Sequence, residues 1–151
     1  MIERKIGLAA FYDAIYKPRN FGLAAHHYPI IMALEDRRID NLLVMGPPGL
    51  GKSNLLDIAY AAWELGHDPT LTIQSISAGE DLPKGFMSAV MQIVQHDATF
   101  RETFPAVRPD PAQGWSIQRG LFLTEHPHTD PDPSYKAYGI TSKALTGGHC
   151  R

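Results

Sequence analysis

The chain has 151 residues, the length of a single domain and enough to enclose a core, and its 44% hydrophobic and 20% charged residues exclude disorder as the default state. A formal net charge of -2 excludes the broad basic footprint of an electrostatic nucleic-acid binder, so any DNA contact must be local. One cysteine, Cys150, excludes an internal disulfide and fits a reducing compartment.

Glu3, Arg4 and Lys5 precede an apolar run too short for a signal peptide, and no stretch approaches membrane-spanning length. The expected setting is the cytoplasm, without a membrane. Ile6, Ala9, Phe11, Ala14 and Ile15 are spaced as a helical face that Lys17-Pro18 stops. Tyr28, Ile31, Met32 and Leu34 mark a second helix, closed by Glu35, Asp36, Arg37 and Arg38. Asn41 then opens a short apolar run, Leu42 to Met45, whose continuity predicts a buried strand covered on both faces, as in a parallel sheet.

After a glycine-and-proline loop, Leu55, Leu56, Ile58, Ala59, Ala62 and Leu65 form a helix that Gly66 and then Pro69 terminate. Thr70 to Ser77 is β-branched and reads as the next strand, completing a βαβ unit. Pro83 begins a third helix, with Phe86, Val90, Ile93 and Val94 on its buried face and Phe104-Pro105 ending a short extension. From Arg108 prolines accumulate, with short β-like pieces at 115 to 117, 121 to 123 and 135 to 140. They predict a C-terminal β-hairpin region with a long polar loop, packed on the sheet or projecting from it. The whole is an α/β fold, a partial parallel sheet flanked by helices.

Gly46-x-x-x-x-Gly51-Lys52-Ser53 matches the P-loop pattern, and it follows an apolar run and opens a periodic helix, the context that the motif requires. Glycines let backbone N–H groups turn inward as an anion nest, and the following helix aims its positive end at the same point. The expected ligands are ATP and Mg²⁺. Gly46, Pro47, Pro48, Gly49, Leu50, Gly51, Lys52, Ser53 and Asn54 form the cradle. Lys52 places a charge on the β- and γ-phosphates and is the expected catalytic residue, while the Ser53 hydroxyl is the expected metal ligand. Pro47 and Pro48 stiffen the entry to the loop.

Hydrolysis also needs a strand ending in an acidic residue that supports Mg²⁺. No apolar run ends in Asp-Asp or Asp-Glu. In "RGLFLTEH" Thr124 stands where the acid belongs, and the run before Asp97 has helical spacing broken by Gln92, Gln95 and His96.

From "HHYPIIMALEDRRIDNLLVMGPPGLGKSNLL" onward the chain resembles the N-terminal ATPase region of terminase large subunits, the motors that package DNA into tailed-phage heads. The order of further stretches carries the resemblance over roughly positions 24 to 151. His26-His27 leads a helix toward the loop, a strand ends in "SIS", a helix passes through Phe86, and "RPDPAQGWSI" opens a hairpin at Trp115. "AYGITSKALTGGHCR" looks like the segment that leads into the acidic Walker B strand.

The resemblance implies a P-loop NTPase fold and a single, incomplete ATPase domain over 1–151. Arg151 stands about where the Walker B strand begins, and the RNase H-like nuclease domain lies outside the chain. It also implies viral double-stranded DNA, the portal protein, the small terminase subunit and a homo-oligomeric ring as partners, in the host-cell cytoplasm. Terminases commonly carry an arginine inside the loop, where this sequence has Gly49. A neighbouring subunit would then supply the charge, with Arg119 and Arg151 as candidates. Without later central strands an apolar sheet edge is left open, so marginal stability or self-association is expected.

Other groupings favour plainer readings. His126-Pro127-His128 with Asp130 and Asp132 reads as a solvated loop rather than a metal site, and His149-Cys150 lacks a second cysteine. Trp63 and Trp115 read as packing. Lys84, Arg101, Arg108, Arg119, Lys136 and Lys143 are scattered surface charge more readily than a DNA channel. "GPPGLGKS" also suits AAA+-type DNA-processing ATPases, although these place an acidic strand sooner. A non-catalytic nucleotide-binding prophage remnant is a third reading. A small-molecule kinase would want an arginine-rich lid that the proline-rich region does not resemble.

Overall fold

The first helix forms because its apolar residues fall at helical spacing. In the computed structural model, which describes residues 6–141, α1 (Leu8–Tyr16) buries Leu8, Phe11, Tyr12, Ile15 and Tyr16 along one face. A 3₁₀ turn at Lys17–Arg19 follows, and Asn20 ends it in the left-handed conformation at φ 61°. The readings for Lys143, His149, Cys150 and Arg151 lie outside the described residues.

Helix α2 (His27–Glu35) buries only His27 and Ile31, so the expected stripe through Tyr28 and Met32 faces outward. Its last residue reaches back: the Glu35 carboxylate accepts the Leu8 N–H at 2.9 Å, one of the donors that the start of α1 leaves unpaired.

The run Leu42 to Met45 is not a strand, which corrects the expectation of a βαβ unit. Leu43 and Met45 are each 83% exposed. A continuous apolar run does not distinguish a doubly covered strand from a segment lying against a helix. Here the run lies beside Pro29, Ile30 and Ala33 of α2, with which it lines a shallow groove of about 320 Å³.

Beyond the loop the helix begins as a π-helical segment, Asn54–Tyr60, and continues as α3 (Ala61–His67). Leu55, Ile58, Ala59, Ala62 and Leu65 are buried as expected, together with Trp63. Gly66 lies within the helix instead of ending it, and its place follows from packing. A Cβ there would stand 2.5 Å from Cδ2 and Cε2 of Phe104. Gly66→Ala is therefore expected to cost about 2 kcal/mol through overpacking, despite a helix-propensity gain of about 1 kcal/mol. A lowered urea midpoint with an unchanged slope would show it.

Strand β1 (Ile73–Ser77) precedes α4 (Asp81–His96), in whose first turn Pro83 needs no N–H partner. Helix α4 buries Pro83, Met87, Val90, Ile93 and Val94, with Phe86 half-buried beside them. The extension is a separate helix, α5 (Ala98–Thr103), capped by the Asp97 carboxylate on the Phe100 N–H at 3.1 Å.

The hairpin region supplies β2 (Trp115–Ser116), β3 (Gly120–Leu121) and β4 (Tyr135–Gly139). These strands do not form a separate unit. The sheet runs β1-β4-β3-β2, with β1 and β4 parallel from Ile73↔Tyr135 to Ser77↔Gly139 and the other pairs antiparallel. The sheet is therefore mixed, and the expected parallel character is confined to one pair. Helix α4 packs on β1 and β4 and on the π-helical segment, which in turn meets α1. Phe11 fastens this helical layer, meeting Phe100 and Phe104 edge-on at 6.3 and 6.1 Å. The architecture is mixed α/β, with helices flanking a four-stranded sheet.

Candidate functional site

Two glycines shape the loop between the apolar run and the π-helical segment. Gly49 (φ 85°) and Gly51 (φ 69°) both occupy the left-handed region, which L-residues with side chains seldom enter. At Gly46 a Cβ would make a tight contact, 3.1 Å from Leu50 Cδ1. The loop hands over to the helix where Leu55 N–H reaches Gly51 O at 3.1 Å. Among the described residues, the N–H groups of Gly49 and Gly51 donate no hydrogen bond.

The Lys52 amino group is held in the loop, donating to Gly46 O at 2.9 Å and Pro47 O at 2.6 Å. Those carbonyls keep a positive charge over the loop, and a phosphate oxygen is a stronger acceptor for the same protons. Leu50 O points away toward α2, where it accepts from Nε2 of His27 at 2.8 Å and of His26 at 3.0 Å. Loop, α2 and the α1–α2 connection enclose a cleft of about 650 Å³, with Tyr12, Phe21 and His26 on its walls and Lys52, Ser53 and Asn54 along the loop side. That volume suits a small-molecule ligand.

Ser53 is exposed and Asn54 half-buried. One helical turn on stands Asp57, which sequence reasoning missed although its i, i+4 spacing from Ser53 was visible. Burial pushes the Asp57 carboxyl above its ordinary 3.8, and the Ser53 hydroxyl draws it partly back. The native state thus holds this proton more tightly than the unfolded chain does. Stability contributed by the protonated form is lost as pH rises from the unfolded value through the raised native one. Asp57→Asn is expected to lift the melting temperature at neutral pH by a few degrees and to leave it unchanged below the unfolded carboxyl range. Melts between pH 3 and 7 test this, and parallel curves for the two proteins would contradict it.

The other predicted residues are dispersed. Arg119 is exposed on the β2–β3 turn, its N–H on Ser116 Oγ at 3.2 Å. Lys84 is paired with Glu80 at 2.7 Å, and Lys136 donates to Gln118 O at 2.5 Å. Arg101 and Arg108 are exposed.

Around His126 the segment is a loop, exposed at Pro127, His128 and Thr129 as expected, but its first histidine is not solvated. His126 is buried, and its Nε2 donates to Asp132 O at 2.7 Å while Asp130 accepts the Asp132 N–H at 3.0 Å. These bonds fold the segment onto itself, which the proline-rich composition concealed. Among the described residues, no group of three His, Cys, Asp or Glu is placed to hold a metal ion. No described helix is long and apolar enough to cross a membrane. Trp63 is core, its Nε1 donating to Ile6 O at 2.8 Å, and Trp115 is half-buried opposite Leu121. No protein-family model, curated protein or solved structure matches the chain.

Proposed function

We propose that the 46–53 loop binds a nucleoside triphosphate with Mg²⁺, ATP by expectation, and that the chain is the nucleotide-binding front of a P-loop motor of the terminase large-subunit kind. The observation that carries this reading is the loop itself. Two left-handed glycines flank Leu50, their N–H groups make no protein bond among the described residues, and the Lys52 ammonium stands over the turn. In this reading Gly46 to Gly51 cradle the phosphates, Lys52 carries charge to them, and Ser53 with Asn54 begins the helix beside the metal. Mg²⁺ would supply charge neutralisation between the β- and γ-phosphates. Viral double-stranded DNA, a portal, a small terminase subunit and a ring of copies are the partners that the resemblance proposes.

Binding without efficient turnover is favoured by the strand ends. Among the described strands, β1, β3 and β4 close on Ser77, Leu121 and Gly139, and none ends on an acidic residue. Titration calorimetry of Mg·ATP against the chain, with inorganic phosphate release followed in parallel, tests both halves. Saturable binding with negligible release is expected, and absence of binding would overturn the reading. Reading the coding DNA beyond Arg151 tests the motor assignment: an apolar strand ending in Asp-Asp or Asp-Glu supports it.

A further inference from the structure

The Leu50–Gly51 peptide makes no backbone–backbone hydrogen bond among the described residues. No peptide bond among the described residues is cis, so Leu50 C=O and Gly51 N–H point in opposite directions. Turning this peptide plane over changes only ψ of Leu50 and φ of Gly51. Glycine accepts either sign of φ without a steric penalty, so residue 51 offers little resistance. One orientation presents an N–H to an anion. The other presents a carbonyl oxygen, which repels it.

What resists the turn lies outside the loop. His27 is 5% exposed and its protonation pattern is set by its neighbours: Ala24 N–H donates to Nδ1 at 2.9 Å, so Nδ1 accepts and the neutral ring carries its proton on Nε2. That proton is directed at Leu50 O, 2.8 Å away. His26 adds a second donor from the exposed side at 3.0 Å. The two rings are 4.1 Å apart, and the buried Tyr12 ring stands 5.9 Å behind His27. A Cβ on Gly51 would approach His27 Nε2 to 3.2 Å, so the imidazole is already pressed against the turn.

We propose that His27, seconded by His26, is a positioning residue that locks the Leu50–Gly51 peptide with its carbonyl against α2 and its N–H on the opposite side, free to meet an anion. The proposal rests on the phosphate-binding reading above. Its physical content is a two-state peptide whose anion-competent orientation is selected before ligand arrives, so losing the lock lowers apparent affinity by the fraction of competent molecules lost.

The test pairs nucleotide titration with amide NMR. His27→Phe keeps the ring's bulk but donates nothing. His27→Gln restores an N–H near the position of Nε2. Mg·ATP affinity is expected to fall roughly tenfold in His27→Phe and to return to within about threefold of the parent in His27→Gln. The Gly51 amide should give one sharp resonance in the parent and in His27→Gln, and a split or exchange-broadened one in His27→Phe. A parent that binds ATP with His27→Phe equal to it in both affinity and amide spectrum would overturn the lock and leave the nucleotide site standing.

A parent that binds no nucleotide would overturn the site. The amide spectra would then decide the peptide lock by themselves. Should His27→Phe fail to fold, ¹⁵N imidazole shifts of the parent decide: a proton on Nδ1 of His27 contradicts the proposal. His26→Phe, at an exposed ring, should in that case weaken binding about threefold, and no change would count against it.

Discussion

Lys52→Ala is expected to weaken Mg·ATP binding by about 30- to 150-fold, the loss of one charge-assisted hydrogen-bonding group worth about 2 to 3 kcal/mol. The side chain's present bonds go to two loop carbonyls, Gly46 O and Pro47 O, and the loop they span is exposed. Removing them should leave the core untouched, so the melting temperature of the variant should match the parent's. Lys52→Arg should recover only part of the affinity, because a planar guanidinium does not reproduce a compact ammonium inside a tight turn. Calorimetric titration is the measurement. Unaltered affinity in Lys52→Ala would remove the loop as the nucleotide site.

Trp63→Ala is expected to cost about 3 to 5 kcal/mol, a large share of the roughly 5 to 15 kcal/mol that holds a domain of this size together. Trp63 is fully buried, meets the His67 ring edge-on at 4.8 Å, and ties the chain ahead of α1 to the helical layer through Ile6 O. Its removal opens a cavity and leaves that carbonyl without its donor. Trp63→Phe fills most of the cavity and should cost clearly less. Equilibrium urea unfolding compares the three, and a midpoint for Trp63→Ala equal to the parent's would show that the core does not depend on this side chain.

The glycine positions of the loop were legible because they are chemical constraints: Gly49 and Gly51 stand where a side chain would be strained, and spacing alone marks such sites. Helices α1 and α4 were legible for a related reason, since one-sided burial imposes a period on Phe11 and Ile15 or on Val90 and Val94. Leu42 to Met45 failed because apolar continuity reports burial tendency without saying what covers the run. The π winding of Asn54–Tyr60 has no signature in its residues. "YKAYGI" was legible as a strand, but its pairing with β1 depends on which edge the fold leaves available. The bonds from His26 and His27 to Leu50 join residues remote in sequence, so nothing local foretold them.

The parallel register of β1 with β4 also sets an order of assembly. Ile73 and Ile76 are synthesised well before Tyr135 and Tyr138, the residues opposite them, and all of α4, α5 and the β2–β3 hairpin intervenes. A growing chain can therefore collect its helices while β1 waits with an unpaired edge. Closing that long loop is the slow, non-local step, and until it happens the nascent chain is the form most open to chaperones and to sticking to its own kind.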